Sequence, residues 1–249
     1  MKINSLNIVL TAALVFMPAC NGKAARSESN PEPTQSITAP VANPGSLRAV
    51  EKAKEYVKSN PENADAHYRL GTAYIDVFMY EEAVKSSINA IRINPDHAEA
   101  HNSLGIAYGE TGMHREAIED FKQAVRIRTG YAEAYFNMGL AYEKLQLPDD
   151  AVKAYNKAIK ADSDYAAAHY NLGNIYLQQG ETWHAITALK NAVRLMPENS
   201  MAHYNLGTAY ALSNRRGPAL DEYKILLNLD REKAEALFNR IYESPVQEK

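Results

Sequence analysis

The chain has 249 residues, 46% of them hydrophobic and 23% charged, a composition that permits a sizeable core. Its 27 basic and 30 acidic residues leave a net charge of −3, and no run of Lys or Arg is longer than Arg215-Arg216, so nucleic acid is not an expected partner. A single cysteine excludes an internal disulfide framework and any cluster of thiolate metal ligands.

Residues 1–19 read as a signal peptide: Met1-Lys2-Ile3-Asn4, a Lys-bearing start, precedes an apolar stretch from Ile8 to Met17 that is too short to cross a bilayer as a helix. The only cysteine, Cys20, follows at once, and Met17-Pro18-Ala19-Cys20 resembles the lipobox of bacterial lipoproteins. That resemblance implies cleavage before Cys20 and a diacylglyceryl group on its thiol, hence a membrane anchor. Met17 stands where Leu is usual, and Pro18 where Ala or Ser is usual. Asn21, not being Asp, is compatible with sorting to the outer membrane and a periplasm-facing position. The other reading is a plain secretory signal cut after Ala19, which yields a soluble protein with a free cysteine.

Residues 20–46 carry Pro31, Pro33, Pro40 and Pro44 among Ser, Glu, Asn, Thr and Gly, with almost no apolar residue at helical spacing. Such a segment buries too little surface to fold and reads as a tether from Cys20.

From Leu47 the chain becomes periodic. Gly71, Gly105, Gly139, Gly173 and Gly207 lie 34 residues apart, and so do Tyr74, Tyr108, Tyr142, Tyr176 and Tyr210. Two further columns keep the spacing, one running from Leu70 to Leu206 with Met138 inside it, the other from Ala83 to Ala219. Leu70 and Tyr74 share one helix face, and Ala83, Ser87 and Ala90 line the facing stripe of a second helix. A glycine inside a helix costs about 1 kcal/mol against alanine, so each needs close helix contact in return.

The 34-residue period carrying L-G-x-x-Y and then A-x-x-x-F/Y/L resembles the tetratricopeptide repeat over residues 64–233. The resemblance implies an all-α, right-handed solenoid of five helix-turn-helix repeats at 64–97, 98–131, 132–165, 166–199 and 200–233. Residues 47–63, with Ala49, Ala53 and Tyr56 in second-helix columns, are expected to cap the front, and 234–243 the rear, where Ile241 takes the glycine column. Residues 244–249 are a tail.

The joints agree with this layout. Gly112, Gly180 and Asn214 fall where a left-handed residue stops the first helix, with Phe78 and Gln146 at the same place in two repeats. Pro148 suits the start of a second helix, while Pro95 and Pro197 close repeats one and four. Thr129, Ser163 and Arg231 replace the closing proline elsewhere.

Seven histidines raise a metal or catalytic reading. His67, His101, His169 and His203 share one column with Tyr135, and a position that accepts Tyr as readily as His points to packing. His97 and His101 are four apart, but His97 begins a turn with no acidic or thiol partner at a matching offset. No G-x-S-x-G, P-loop or H-E-x-x-H occurs, so neither an enzyme nor a cofactor is expected.

Binding is the stronger expectation. Asn137, Asn171 and Asn205 form one column on the first helices, continued by Asn239 and broken toward the front by Ser103 and Arg69. In tetratricopeptide proteins the first helices line the concave face, and the resemblance implies that asparagines in this column bond an extended peptide backbone. A side-chain amide donates and accepts together, so it can pair with a peptide group of any sequence. Phe136, Tyr170 and Tyr204 precede these asparagines and Asn174 follows Tyr170 by one turn, giving amides edged by aromatic surface. The bland alternative is that the aromatics pack between helices and the amides serve solubility. A chaperone-type carboxylate clamp is missing, because Tyr170, Glu235 and Asn239 stand where it needs cations. The front inner face is acidic, with Asp65, Asp76, Glu99, Glu110 and Glu133, which reads as a solvated face or as a preference for basic segments.

The expected function is a non-enzymatic scaffold of the bacterial envelope that binds a protein or peptide in the groove. In plan, though not in motif, the chain is similar to pilotin lipoproteins, and self-association through the solenoid ends is a further option. The competing class is a metal-binding or enzymatic protein using the histidine column.

Overall fold

A computed structural model describes residues 44–243 of the protein. Cys20, the signal peptide, most of the tether and the 244–249 tail lie outside the described residues.

Twelve helices follow one another among the described residues, with no strand. α1 (Pro44–Ser59) stands at the front. Five pairs then repeat: α2 (Ala64–Ile75) with α3 (Tyr80–Ile93), α4 (Ala98–Glu110) with α5 (His114–Ile127), α6 (Ala132–Lys144) with α7 (Pro148–Ala161), α8 (Ala166–Gln178) with α9 (Thr182–Leu195), and α10 (Ser200–Leu212) with α11 (Arg216–Leu229). α12 (Arg231–Glu243) closes the rear. Each helix packs on its sequence neighbours, and first helices also pack on each other, as α2 does on α4 and α8 on α10, more closely than any two second helices of these pairs do. The first helices therefore form the inner row of an all-helical solenoid.

The glycine column sets the distance between paired helices. A Cβ at Gly105 would lie 2.6 Å from the Phe121 ring, at Gly139 2.5 Å from the Tyr155 ring, and at Gly173 2.5 Å from Leu189, so the side chain of each second helix lies directly on the backbone of the first. That close contact offsets the propensity cost of glycine. In the first pair the small Ser87 side chain faces Gly71, and its buried Oγ has no hydrogen-bond partner among the described residues. In the last pair Gly207 is covered by Leu237 of α12, not by Tyr223 of its own second helix. α12 tucks against α10 and buries Ala234, Leu237 and Ile241 almost completely. Ile241 fits the glycine column there because no second helix follows α12 among the described residues.

Turn chemistry explains the repeat joints. Phe78, Gln146 and Asn214 hold φ of 63°, 58° and 58°, the left-handed conformation that Gly112 and Gly180 supply elsewhere. The residue after each closes the first helix: Met79 N–H donates to the Tyr74 carbonyl at 2.9 Å, Met113 to Tyr108 at 2.8 Å and Leu147 to Tyr142 at 3.0 Å.

Both ends run longer than the sequence pattern suggests. α1 begins at Pro44, inside the expected tether, because proline at the first helical position lacks only an N–H that would be unpaired anyway. α12 begins at Arg231, immediately after Asp230, whose Oδ1 accepts from the Lys233 N–H at 3.1 Å and caps the helix. Where Arg231 replaces the closing proline, the inter-repeat turn shrinks to Asp230 alone. No described helix is long and apolar enough to cross a membrane.

Candidate peptide-binding groove

The inner row of first helices carries the asparagine column on its accessible side: Asn137 on α6, Asn171 on α8 and Asn205 on α10 are each half-buried. Asn205 Nδ2 donates to Asn174 Oδ1 at 2.7 Å and lies 3.5 Å from the Tyr170 hydroxyl. Asn171 Nδ2 donates to the Tyr155 hydroxyl at 3.2 Å, and Tyr155 donates in turn to the Glu143 carboxylate. Asn137 Nδ2 donates to Asn102 Oδ1 at 3.2 Å, and Asn102 donates to Glu133 at 3.2 Å.

These links fix the amide planes. Each ladder asparagine uses an N–H on a protein neighbour, while its Oδ1 has no donor among the described residues. The groove thus presents carbonyl acceptors held in orientation, suited to backbone N–H groups of an extended chain.

The aromatic residues divide. Tyr170 and Tyr204 are half-buried, each resting partly on the core around Leu206 and Leu237. Phe136 is not groove surface: it is 2% exposed, with its ring 5.6 Å from Tyr155 and 5.0 Å from Tyr165. It fills the core because the hydroxyl-free ring needs no water and Tyr165, the residue just before α8, covers it. Asn239 is exposed on α12.

Three participants escaped the column reading. Asn102, 3% exposed, sits one residue before Ser103 and carries the amide links into the second repeat, so the amide network does not stop at Asn137. Its sequence signal was an amide in a column otherwise holding Tyr and Phe. Tyr155 comes from a second helix and reaches the inner face by its hydroxyl. Glu143 stands in a column of Ile75, Gly109, Leu177 and Ala211, and an acid among apolar residues marked it. Burial pushes the Glu143 carboxyl above its usual range, partly countered by the Tyr155 hydrogen bond, and burial also pushes the Tyr155 phenol up.

The front carboxylates are largely tied to neighbours. Glu99 pairs with Arg128 at 2.6 Å, Glu133 accepts from Asn102, and Asp65 lies 3.1 Å from His97 Nε2. His97 therefore has an acidic partner after all, Asp65 at the start of α2 beside its Nε2, while its Nδ1 accepts from the Ala100 N–H at 3.3 Å and caps α4. The offset of 32 residues to Asp65 hides this pairing from any local reading.

The histidine column has a structural use. The Nε2 atoms of His67, His101, His169 and His203 sit 2.8, 3.1, 3.0 and 3.0 Å from the carbonyls of Pro61, Pro95, Ser163 and Pro197, tying each first helix to the turn before it. His101 and His203 also contact Asp120 at 2.8 Å and Glu222 at 2.6 Å on their second helices. No cluster of three or more His, Cys, Asp or Glu with metal-binding geometry occurs among the described residues.

Comparisons with known proteins agree with this architecture. Tetratricopeptide-repeat sequence models match residues 62–130, 133–164, 149–180 and 173–214, more than half of the chain together. The chain belongs to the tetratricopeptide-repeat proteins. The crystal structure of MamA is similar at 28% identity, over 67% of this chain and 97% of that one, with a TM-score of 0.60. YrrB, described as a TPR protein with an unusual peptide-binding site, shares the fold at 21% identity over 77% of this chain and 100% of its own, with a TM-score of 0.62. PilF of Pseudomonas aeruginosa does so at 16% identity, over 78% and 89%, with a TM-score of 0.68. No curated protein matches the chain.

Proposed function

We propose that the protein is a lipid-anchored scaffold of the bacterial envelope that holds an extended segment of a partner protein in its inner groove. The observation that carries this reading is the set of amides Asn137, Asn171 and Asn205, each with an N–H on a protein neighbour and an Oδ1 that has no donor among the described residues. Half-buried Tyr170 and Tyr204 supply apolar flanks beside them. Backbone recognition by amides sets affinity without demanding one sequence, and the tyrosines select apolar side chains at alternate positions. YrrB, with the same fold, is itself described as having a peptide-binding site. Anchoring at Cys20 places this groove at a membrane, the outer membrane facing the periplasm, at the end of a short tether. No cofactor enters this reading.

Replacing Asn171→Ala together with Asn205→Ala tests the groove. Cross-linked capture from the intact envelope should drop at least tenfold while the helical circular dichroism signal persists, and unchanged capture would sink the ladder. Incorporation of radiolabelled palmitate, compared with Cys20→Ala, tests the anchor separately.

A further inference from the structure

The turn inside each repeat ends on the cap residue just before the second helix: Met79, Met113, Leu147, Glu181 and Arg215. None of the five caps its helix through a side chain. Ser, Asp or Asn there would satisfy an orphan N–H and would be soluble. An apolar residue at this place ordinarily covers the end of the preceding helix, and Leu147 does lie beside Tyr142. That duty uses only part of each side chain, because Met79, Met113 and Leu147 remain 37%, 39% and 44% exposed.

Phe78 sharpens the point. It holds φ of 63°, where its equivalents include Gly112 and Gly180, and the residue is 42% exposed. Its ring meets Tyr80 edge-on with the centroids 6.4 Å apart, so a bulky residue in strained left-handed backbone is only partly repaid by burial. Four apolar side chains thus stand on the turn edge of the first three repeats, in place of caps and glycine. Beside Leu147 a shallow crevice of about 530 Å³ is lined by Ile118, Tyr142 and Leu145, with Arg115 and Lys122 at its rim.

The charge around this edge is mainly acidic. Glu81, Glu116 and Asp149 are exposed in the first turns of α3, α5 and α7, beside Glu82 and Asp150. Lys122 is tied to Glu119 at 2.7 Å and Lys153 to Asp150 at 2.9 Å.

We propose that this edge docks an amphipathic helix of a partner protein, with its apolar stripe on Phe78, Met79, Met113 and Leu147 and a Lys/Arg flank on the acidic first turns. The two unbranched methionine side chains adapt to varied knobs, and together with Phe78 and Leu147 they offer apolar contacts to the linear stripe of a helix. A lipid surface fits less well, because the same carboxylates would be pressed against phosphate headgroups. The surface is distinct from the asparagine groove, so one scaffold can hold two partners.

The test uses two synthetic helical peptides with the same Leu/Phe stripe, one flanked by Lys and one by Glu. Each is titrated by fluorescence anisotropy into the wild-type chain and into a Met113→Asp/Leu147→Asp variant. The Lys-flanked peptide should bind the wild type and bind the variant at least tenfold more weakly, although the variant carries two additional negative charges. The variant's melting temperature should rise by about 4 °C, since each aspartate supplies a missing cap. Asn171→Ala with Asn205→Ala should leave this binding unchanged. Equal or tighter binding by the aspartate variant, a fall in its melting temperature, or adsorption to phosphatidylcholine or phosphatidylglycerol vesicles with no affinity for either peptide would each overturn the proposal.

Discussion

Asn205 on α10 donates its amide proton to Oδ1 of Asn174 on α8 at 2.7 Å, so two successive first helices are linked by half-buried side chains. The bond is half-buried and neutral, and its net worth is about 1 kcal/mol. Asn205→Ala and Asn174→Ala should each lower stability in urea by about that much. A double-mutant cycle should return a coupling of about 0.5–1 kcal/mol. Additive losses would mean that the amides do not orient each other, and the ladder would lose its preorganisation.

Glycines in the first helices should respond in opposite directions according to what faces them. A Cβ at Gly139 would lie 2.5 Å from the Tyr155 ring, so Gly139→Ala should cost about 2–3 kcal/mol by forcing α7 outward. At Gly109 the nearest atom would be the Ala117 Cβ at 4.0 Å, and Gly109→Ala should stabilise by up to about 1 kcal/mol through helix propensity alone. Thermal melts of the two variants decide between steric contact and chance as the origin of the glycine column.

The joints offer a third comparison. Gln146 holds φ of 58°, a conformation that costs an L-residue about 1 kcal/mol, so Gln146→Gly should raise stability by roughly that amount. Gly112→Ala should lose a similar amount despite open space around its Cβ, because its φ is +82°. Equal melting temperatures for all three proteins would show that the turn relaxes freely.

The repeat register was legible because each column answers to one local cause. Glycine follows from helix contact, tyrosine and alanine from burial, and the left-handed stop from backbone geometry. The parts that stayed hidden depend on partners far apart in sequence. Phe136 shares a column with half-buried Tyr170 and Tyr204, yet Tyr165 of the next turn seals it into the core. Asp65 meets His97 across 32 residues, and Leu237 displaces Tyr223 from Gly207 only because α12 leans on α10. Column position alone carries no information on such packing. The ladder asparagines were visible as a column, but their use of N–H groups within the protein, which leaves the Oδ1 atoms to the groove, required Asn102, Tyr155 and Glu143 to be in place.

Glu143 gives the groove a pH dependence whose sign follows from burial. Its carboxyl is held above the ordinary value, chiefly by desolvation and against the pull of the Tyr155 hydroxyl. A group whose folded pKa is raised contributes stability that is fully present below its unfolded value and is lost as pH rises through the folded one. At neutral pH the buried carboxylate is therefore a cost, and Glu143→Gln, which keeps an acceptor for Tyr155, should melt at a higher temperature than the wild type. The gap should close as pH falls and vanish below the ordinary glutamate value of 4.5. Tyr155→Phe removes the hydrogen bond that favours the charged form, so in that background the neutral-pH gain from Glu143→Gln should be larger. A gap that is constant from acid to neutral pH would place its origin in packing around Tyr155 and not in the charge of Glu143.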